Sequence, residues 1–283
     1  MNETEHRHDG AGPGLFGHRN VVIWKSSGDI AAKRWCPEGY RMKPKFCIVG
    51  ATGGTGLRIA RQLLQTGFNL RVLARNPDKA KRLLGGRAEI FQGDVTDPQS
   101  LRGALAADDK AIFFTVAATG GMDGRGLFAS ETMIRDVTYQ GLLNVVDLAL
   151  AIGFQGRIIL PSVFGADRAS IMIRILNRVK RGLQWNLSER ELYLRGSGLD
   201  YTIVRAPILT NGPAGHANLR ITGATHPLTV GPKLSRGDLA RVLILVSQQQ
   251  VAARKTVDLF SVRGVSSSDR ELLQQLEQIV ADG

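Results

Sequence analysis

From Lys45 onward, short apolar runs alternate with longer segments in which apolar positions recur every three or four residues. The short runs predict buried strands, and the helical recurrence predicts segments that cover them. Strands are expected at Phe46 to Val49, Leu70 to Ala74, Ala88 to Phe91, Ala111 to Thr115, Arg157 to Leu160, Tyr201 to Val204 and Val257 to Phe260. Between the first two, Leu57, Ala60 and Leu64 share one face of a helix that Gly67 is suited to stop. A long helix from about Glu131 to Ile152 ends the same way at Gly153. Another begins near Ser235, with Asp238 in its first turn, where a carboxylate suits the helix dipole. Such alternation predicts an α/β fold: a doubly wound, mainly parallel sheet with helices on both faces.

Residues 1 to 41 break the pattern. They are rich in Gly, His, Arg and Ser, and their one short apolar run is Val21-Val22-Ile23-Trp24. They are expected to form an extension without stable structure. The apolar centre is too short for a secretory signal, and Glu3, Glu5 and Asp9 argue against a mitochondrial presequence. Met42, just before the first strand, is expected to be the natural start, and residues 42 to 283 are read as a single domain.

Composition changes this picture little. At 43% hydrophobic residues, the chain of 283 can bury one large core, and no apolar run is long enough to predict a membrane span. Cys36 lies in the extension and Cys47 inside an apolar strand, which offers neither a disulfide framework nor metal-ligand spacing. Cys47 reads as a small buried hydrophobe, and a reducing, cytoplasmic setting is expected. The net charge is +12, with six Lys/Arg against five Asp/Glu in residues 1 to 41 and 31 against 20 in the remainder. That excess is scattered, without a basic run or an interleaved aromatic stripe, so no specific nucleic-acid partner is expected.

The chemistry begins at Gly50-Ala51-Thr52-Gly53-Gly54-Thr55-Gly56, which follows the first strand directly and opens the first helix. In that context the pattern predicts a Rossmann-type dinucleotide site. Gly50 permits the tight turn, Gly53 lets the backbone approach a pyrophosphate, and Gly56 lets the helix pack closely on the strand, while N–H groups of the first turn face the phosphates. At the end of the second strand, a site for NAD would usually carry Asp or Glu, but Arg75 stands there. A guanidinium can meet a 2′-phosphate with two parallel bonds, and Lys79 can add charge, so NADP(H) is expected in preference to NAD(H). Asp94, after the third strand, is placed to accept a bond from the adenine amino group, and Asp97 to cap the helix starting at Pro98.

Taken with that loop, several segments resemble one family as a set. They are Val72-Leu73-Ala74-Arg75-Asn76, Gly93-Asp94-Val95, Tyr139-Gln140-Gly141-Leu142-Leu143-Asn144, Ser197-Gly198-Leu199-Asp200-Tyr201-Thr202-Ile203-Val204-Arg205 and Arg236-Gly237-Asp238-Leu239-Ala240. Together they resemble the atypical extended short-chain dehydrogenases/reductases, and among them the NmrA-like, NAD(P)H-binding proteins. The resemblance spans residues 45 to 265. It implies that Gly50, Gly53, Gly54, Thr55, Arg75, Asp94, Val95, Val116 and Ala117 line the cofactor, with Thr52, Gly56 and Asn76 in the same motifs. It also implies that the stretch from 206 to 234 covers a substrate cleft.

The catalytic pattern departs from the family. Hydride transfer to a carbonyl needs a proton donor, which this superfamily supplies as a Tyr with a Lys four residues later. The corresponding positions are Leu183 and Leu187. The family's serine is matched by Ser162, which can bond a substrate oxygen or the nicotinamide, or merely satisfy nearby backbone. Tyr139 either packs on the sheet or reaches the nicotinamide side. Tyr193 and Tyr201 read as structural, and His216 and His226, in the Gly/Pro-rich region, are candidate acids. Quinones and flavins can take hydride and draw the proton from water. An NADPH-dependent reductase of such a small-molecule acceptor is therefore expected. The alternatives are an NADP(H)-sensing regulatory or assembly protein with a protein partner, and an epimerase- or dehydratase-like enzyme, to which the missing pair is an objection.

Overall fold

The computed structural model describes residues 46–116, 131–168, 182–229 and 231–283. The amino-terminal extension and Ala117 of the expected cofactor set lie outside the described residues. Ten strands are described: β1 (Phe46–Val49), β2 (Leu70–Ala74), β3 (Ala88–Gln92), β4 (Ala111–Phe114), β5 (Arg157–Val163), β6 (Asp200–Ala206), β7 (Ile208–Thr210), β8 (Asn218–Gly223), β9 (Lys233–Ser235) and β10 (Lys255–Val262). The α-helices are α1 (Gly54–Gln65), α2 (Pro77–Leu84), α3 (Glu131–Ile134), α4 (Gly141–Ala151), α5 (Leu183–Gly196), α6 (Arg236–Val246) and α7 (Asp269–Glu277).

Eight strands form one sheet in the order β3-β2-β1-β4-β5-β6-β10-β8. All neighbours are parallel except β10 and β8. The chain order reverses between β1 and β4, which opens a crevice at the carboxyl ends of those strands, where ligands of doubly wound sheets bind. Both faces are covered, which is why β1 is apolar throughout. Phe46 and Ile48 join the core under α1, α6 and α7, whereas Cys47 and Val49 join the core under α4 and α5. Cys47 is a buried free thiol; burial pushes its pKa up, with the Asp109 charge adding to the effect, so it behaves as the expected core residue.

Two segments differ from expectation. The helix expected from Glu131 to Ile152 is interrupted by a π-helical stretch at Arg135–Gln140 between α3 and α4. Residues 206 to 234, expected only as a covering stretch, contain three strands: β7 and β9 pair with each other, and β8 adds antiparallel to the sheet edge through β10. Leu219 and Ile221 of β8 are buried while Arg220 is exposed, the alternation of a strand buried on one face. No described helix is long and apolar enough to cross a membrane.

Asp109 supplies a pH-dependent term in stability. Burial pushes its carboxyl up to about 6, opposed by the Arg71 cation and a bond from Ala106 N–H. The folded state therefore holds the proton more tightly than the unfolded chain. The associated stability is full below the ordinary value of 3.8 and is lost as pH rises through about 6. Urea unfolding of Asp109→Asn should show a smaller loss of stability than the parent across that window; equal losses would contradict the assignment.

Candidate functional site

The crevice is built where β1 turns into α1. Gly50 takes a φ of +99°, and a Cβ at Gly56 would stand 2.3 Å from both the Gly50 carbonyl oxygen and Thr115 Oγ1. Thr115 is itself fixed, since its N–H and its hydroxyl each donate to the Val49 carbonyl at 2.9 Å. Only a glycine at 56 allows α1 to start this close to the sheet. Gly53, by contrast, would place a Cβ with no atom within 4 Å, on the open side of the loop. The first turn of α1 contains no acidic residue and receives no side-chain cap, so its N–H groups face that space with the positive end of the helix dipole. Half-buried Thr52 and Thr55 flank the space. These features fit a dinucleotide pyrophosphate.

Arg75 extends from the end of β2 with its side chain 80% exposed, and its ion pair with Asp94 Oδ2 is 3.9 Å long. This loosely held guanidinium is free to meet a phosphate. Asp94 Oδ1 accepts from Thr96 N–H at 3.0 Å and from Thr96 Oγ1 at 2.9 Å, leaving Oδ2 toward Arg75. Asn76 Oδ1 accepts from Lys79 N–H at 2.9 Å and caps α2, so this carbonyl is committed to the fold. Asp97 caps a short 3-10 turn through Gln99 N–H. Val95 is buried, and its carbonyl accepts from Asn144 Nδ2 at 2.8 Å; Gln140 Nε2 in turn donates to Asn144 Oδ1 at 3.0 Å. The π-helical stretch is thereby tied to the loop that would hold adenine. Val116 is half-buried just past β4.

Ser162 lies at the carboxyl end of β5, but it is embedded in a charged cluster. Its hydroxyl donates to Glu191 Oε1 at 2.5 Å. Glu191 is fully buried and also receives Arg205 Nη2 at 2.6 Å and Arg195 Nη1 at 3.3 Å. Arg205 reaches Asp167 Oδ1 with Nη1 at 2.9 Å. Burial alone would lower its pKa, yet the bonds to Glu191 and Asp167 outweigh that and hold it above the ordinary arginine value. Arg190 donates to the Pro161 carbonyl at 3.1 Å, and burial pushes it down to about 10 against the raising effect of Glu191. Leu187 and Glu191 stand four residues apart on α5 and share a face. Where the family's Lys would stand, that face therefore presents a leucine and, one turn later, a carboxylate. Sequence reasoning missed Glu191 and Arg205. Arg205 carried a signal, a charge near the end of an otherwise apolar strand, whereas Glu191 follows Glu189 and Arg190 on a charged stretch and carried none.

The ring of Tyr139 lies 5.2 Å from that of Trp185, on a flank of α5 turned away from Leu187. Tyr193 donates its hydroxyl to Asp147, a bond that, with burial, pushes its pKa up to about 12. His216 is exposed, whereas His226 bonds the buried Asp258. No group of His, Cys, Asp and Glu suited to a metal occurs among the described residues.

Comparison with known proteins agrees with this geometry. A family model described as NAD(P)H-binding matches residues 50–250. Sanguinarine reductase of Eschscholzia californica is 28% identical over 266 residues, covering 82% of this chain and 94% of that protein. An uncharacterized chloroplastic protein of Arabidopsis thaliana is 32% identical over 177 residues, which is 60% of each chain. Among solved structures, the oxidoreductase ylbE from Lactococcus lactis superposes with a TM-score of 0.62 at 18% identity, over 82% of this chain and 95% of that one.

Proposed function

Because the chain belongs to the NAD(P)H-binding family, we propose that it is an NADPH-dependent oxidoreductase acting on a quinone, flavin or similar conjugated acceptor. The exposed Arg75 guanidinium, standing where an NAD-specific site would carry a carboxylate, is the observation that carries the cofactor choice. When bound, NADPH would supply the hydride. The chain's own residues would hold the phosphates at the α1 N–H groups and the 2′-phosphate at Arg75, while the buried Glu191 cluster fixes Ser162 at the end of β5.

The acceptor class follows from what α5 lacks. With leucines at 183 and 187, and the Ser162 proton donated to Glu191, no Tyr/Lys relay assists a simple carbonyl. A conjugated acceptor spreads the incoming charge and depends on placement more than on such a relay. A relative named as a reductase supports the reading. A cytoplasmic location belongs to the same proposal, and fractionation of the native protein checks it.

The test is titration of the full chain with NADPH and NADH, repeated for Arg75→Ala, followed by acceptor-dependent oxidation. Loss of a charge-assisted phosphate contact is expected to weaken NADPH about ten- to a hundredfold and leave NADH nearly unchanged. Equal effects on both nucleotides would refute the 2′-phosphate role. NADPH binding without turnover on quinones or flavins would favour an NADP(H)-responsive binding protein instead.

A further inference from the structure

The turn between β8 and β9 carries a histidine whose setting the cofactor site does not explain. Asp258 of β10 is fully buried, and its Oδ2 accepts from Thr225 N–H at 2.8 Å, His226 N–H at 2.7 Å and His226 Nδ1 at 3.0 Å. Burial pushes the Asp258 carboxyl up, opposed by those bonds. The imidazole lies against two aromatic rings, with centroids 5.5 Å from Phe164 and 4.9 Å from Phe260. Its side chain is 39% exposed and Nδ1 is engaged, so the open edge carries Nε2. Holding the turn requires only Asp258 and two backbone N–H groups; the clamped, half-open ring is additional to that.

Sheet register places this pair beside the cleft. Ser162 of β5 is level with Arg205 of β6, and Arg205 with Asp258 of β10. The three side chains therefore stand in one row on one face, and at the usual strand spacing Asp258 is about 10 Å from Ser162. Phe164 follows Ser162 by two residues. Gly165 packs on the Pro227 and His226 backbone, with its Cβ position 3.3 and 3.6 Å away. Arg168 donates to the Thr225 and Ala224 carbonyls at 3.1 and 3.4 Å. The histidine turn is thus fastened to the exit of the strand that bears Ser162. Among the described residues, the charged and polar groups around the ring are Asp258 from β10, Arg168 from the β5 exit, and Thr222 from β8, whose Oγ1 is 3.4 Å from Nδ1. Arg205 and Asp167 pair with each other in the adjoining row.

We propose that His226, oriented by Asp258, donates the proton to the reduced acceptor, at the end of a flat conjugated molecule remote from the atom that takes hydride. The inference rests on the oxidoreductase reading above. Hydride brings two electrons and one hydrogen to the acceptor. The Nε2–H bond of the imidazolium breaks as a new O–H or N–H bond forms at the acceptor's far heteroatom. The neutral imidazole then recovers a proton from water, so NADPH, one proton and acceptor become NADP+ and the dihydro product. Phe164 is buried against the imidazole, and half-buried Phe260 offers apolar surface beside it to a planar ring system.

Two measurements on the full chain test this, with 1,4-naphthoquinone as probe. In the NADP+-loaded protein with 15N-labelled histidine, the Nε2 resonance assigned through His226→Gln is expected to move when the quinone is added. In turnover with NADPH, kcat/KM is expected to fall as pH rises, the direction a proton donor dictates. His226→Gln should lower kcat about a hundredfold and flatten that profile, with NADPH affinity changed less than about twofold. Turnover and pH profile that survive His226→Gln overturn the donor role alone. A silent Nε2 also overturns it, and a responsive Nε2 in a protein with no turnover overturns it together with the reductase reading.

Discussion

Glu191→Ala is expected to destabilise the protein by about 3–5 kcal/mol, a large part of the roughly 5–15 kcal/mol that holds a typical domain folded. The cause is the charge left behind. Glu191 is the carboxylate shared by Ser162, Arg195 and Arg205, and Arg205 is almost fully buried with, among the described residues, one further anion, half-exposed Asp167. Without Glu191, that guanidinium and neighbouring Arg190 stand desolvated with too little negative charge nearby. Urea unfolding followed by circular dichroism measures the loss. A double-mutant cycle with Arg205→Leu should return a coupling of about 2–3 kcal/mol, because removing both partners abolishes the buried charges together. A cost below about 1 kcal/mol, the range of surface pairs, would show that the cluster is solvated and not an internal part of the fold.

A contrast between two glycines of one loop gives the second large effect. Gly56→Val would drive a side chain into the Gly50 carbonyl and Thr115 Oγ1, both 2.3 Å from the Cβ position. Relief requires α1 to move off the sheet, at about 1–3 kcal/mol of overpacking. The phosphate-facing N–H groups move with it, and a displacement of about 1 Å is expected to weaken NADPH by about a hundredfold or more. Gly53→Ala meets no atom within 4 Å and sits in extended backbone at φ −168°, so stability should be unchanged. Its methyl nevertheless enters the space reserved for the pyrophosphate, and NADPH affinity should drop. Calorimetric titration beside thermal unfolding separates the two variants. An unfolding penalty at position 53, or intact binding at position 56, would contradict the placement of the phosphates.

These variants separate features legible in the chain from features that are not. The β1–Gly50–α1 unit, Arg75 at the end of β2, and the cap at Asp97 are each set by residues close in sequence, where apolar spacing and backbone requirements act directly. β8 escaped notice because Asn218–Gly223 is a short alternating strand in a Gly/Pro-rich stretch, and its partner β10 begins more than thirty residues later. The contact of the Tyr139 ring with Trp185 joins the π-helical stretch to α5 and has no local signal in the sequence. Ser162 was matched to the family's serine, but nothing near it in sequence announced that its hydroxyl meets Glu191.

The sequence alone determined the alternation of strands and helices, the dinucleotide loop and the absence of the Tyr/Lys pair, since these are local patterns of apolarity and residue type. Only the tertiary structure decided that Glu191 and Arg205 enclose Ser162, and that Asp258 holds His226. Those contacts join residues from 14 to 32 positions apart, through the pairing of β5, β6 and β10 and the packing of α5 across them. Which charges meet in a buried row depends on strand order and register. Both are settled by how the whole chain covers its two hydrophobic faces, and not by any single segment.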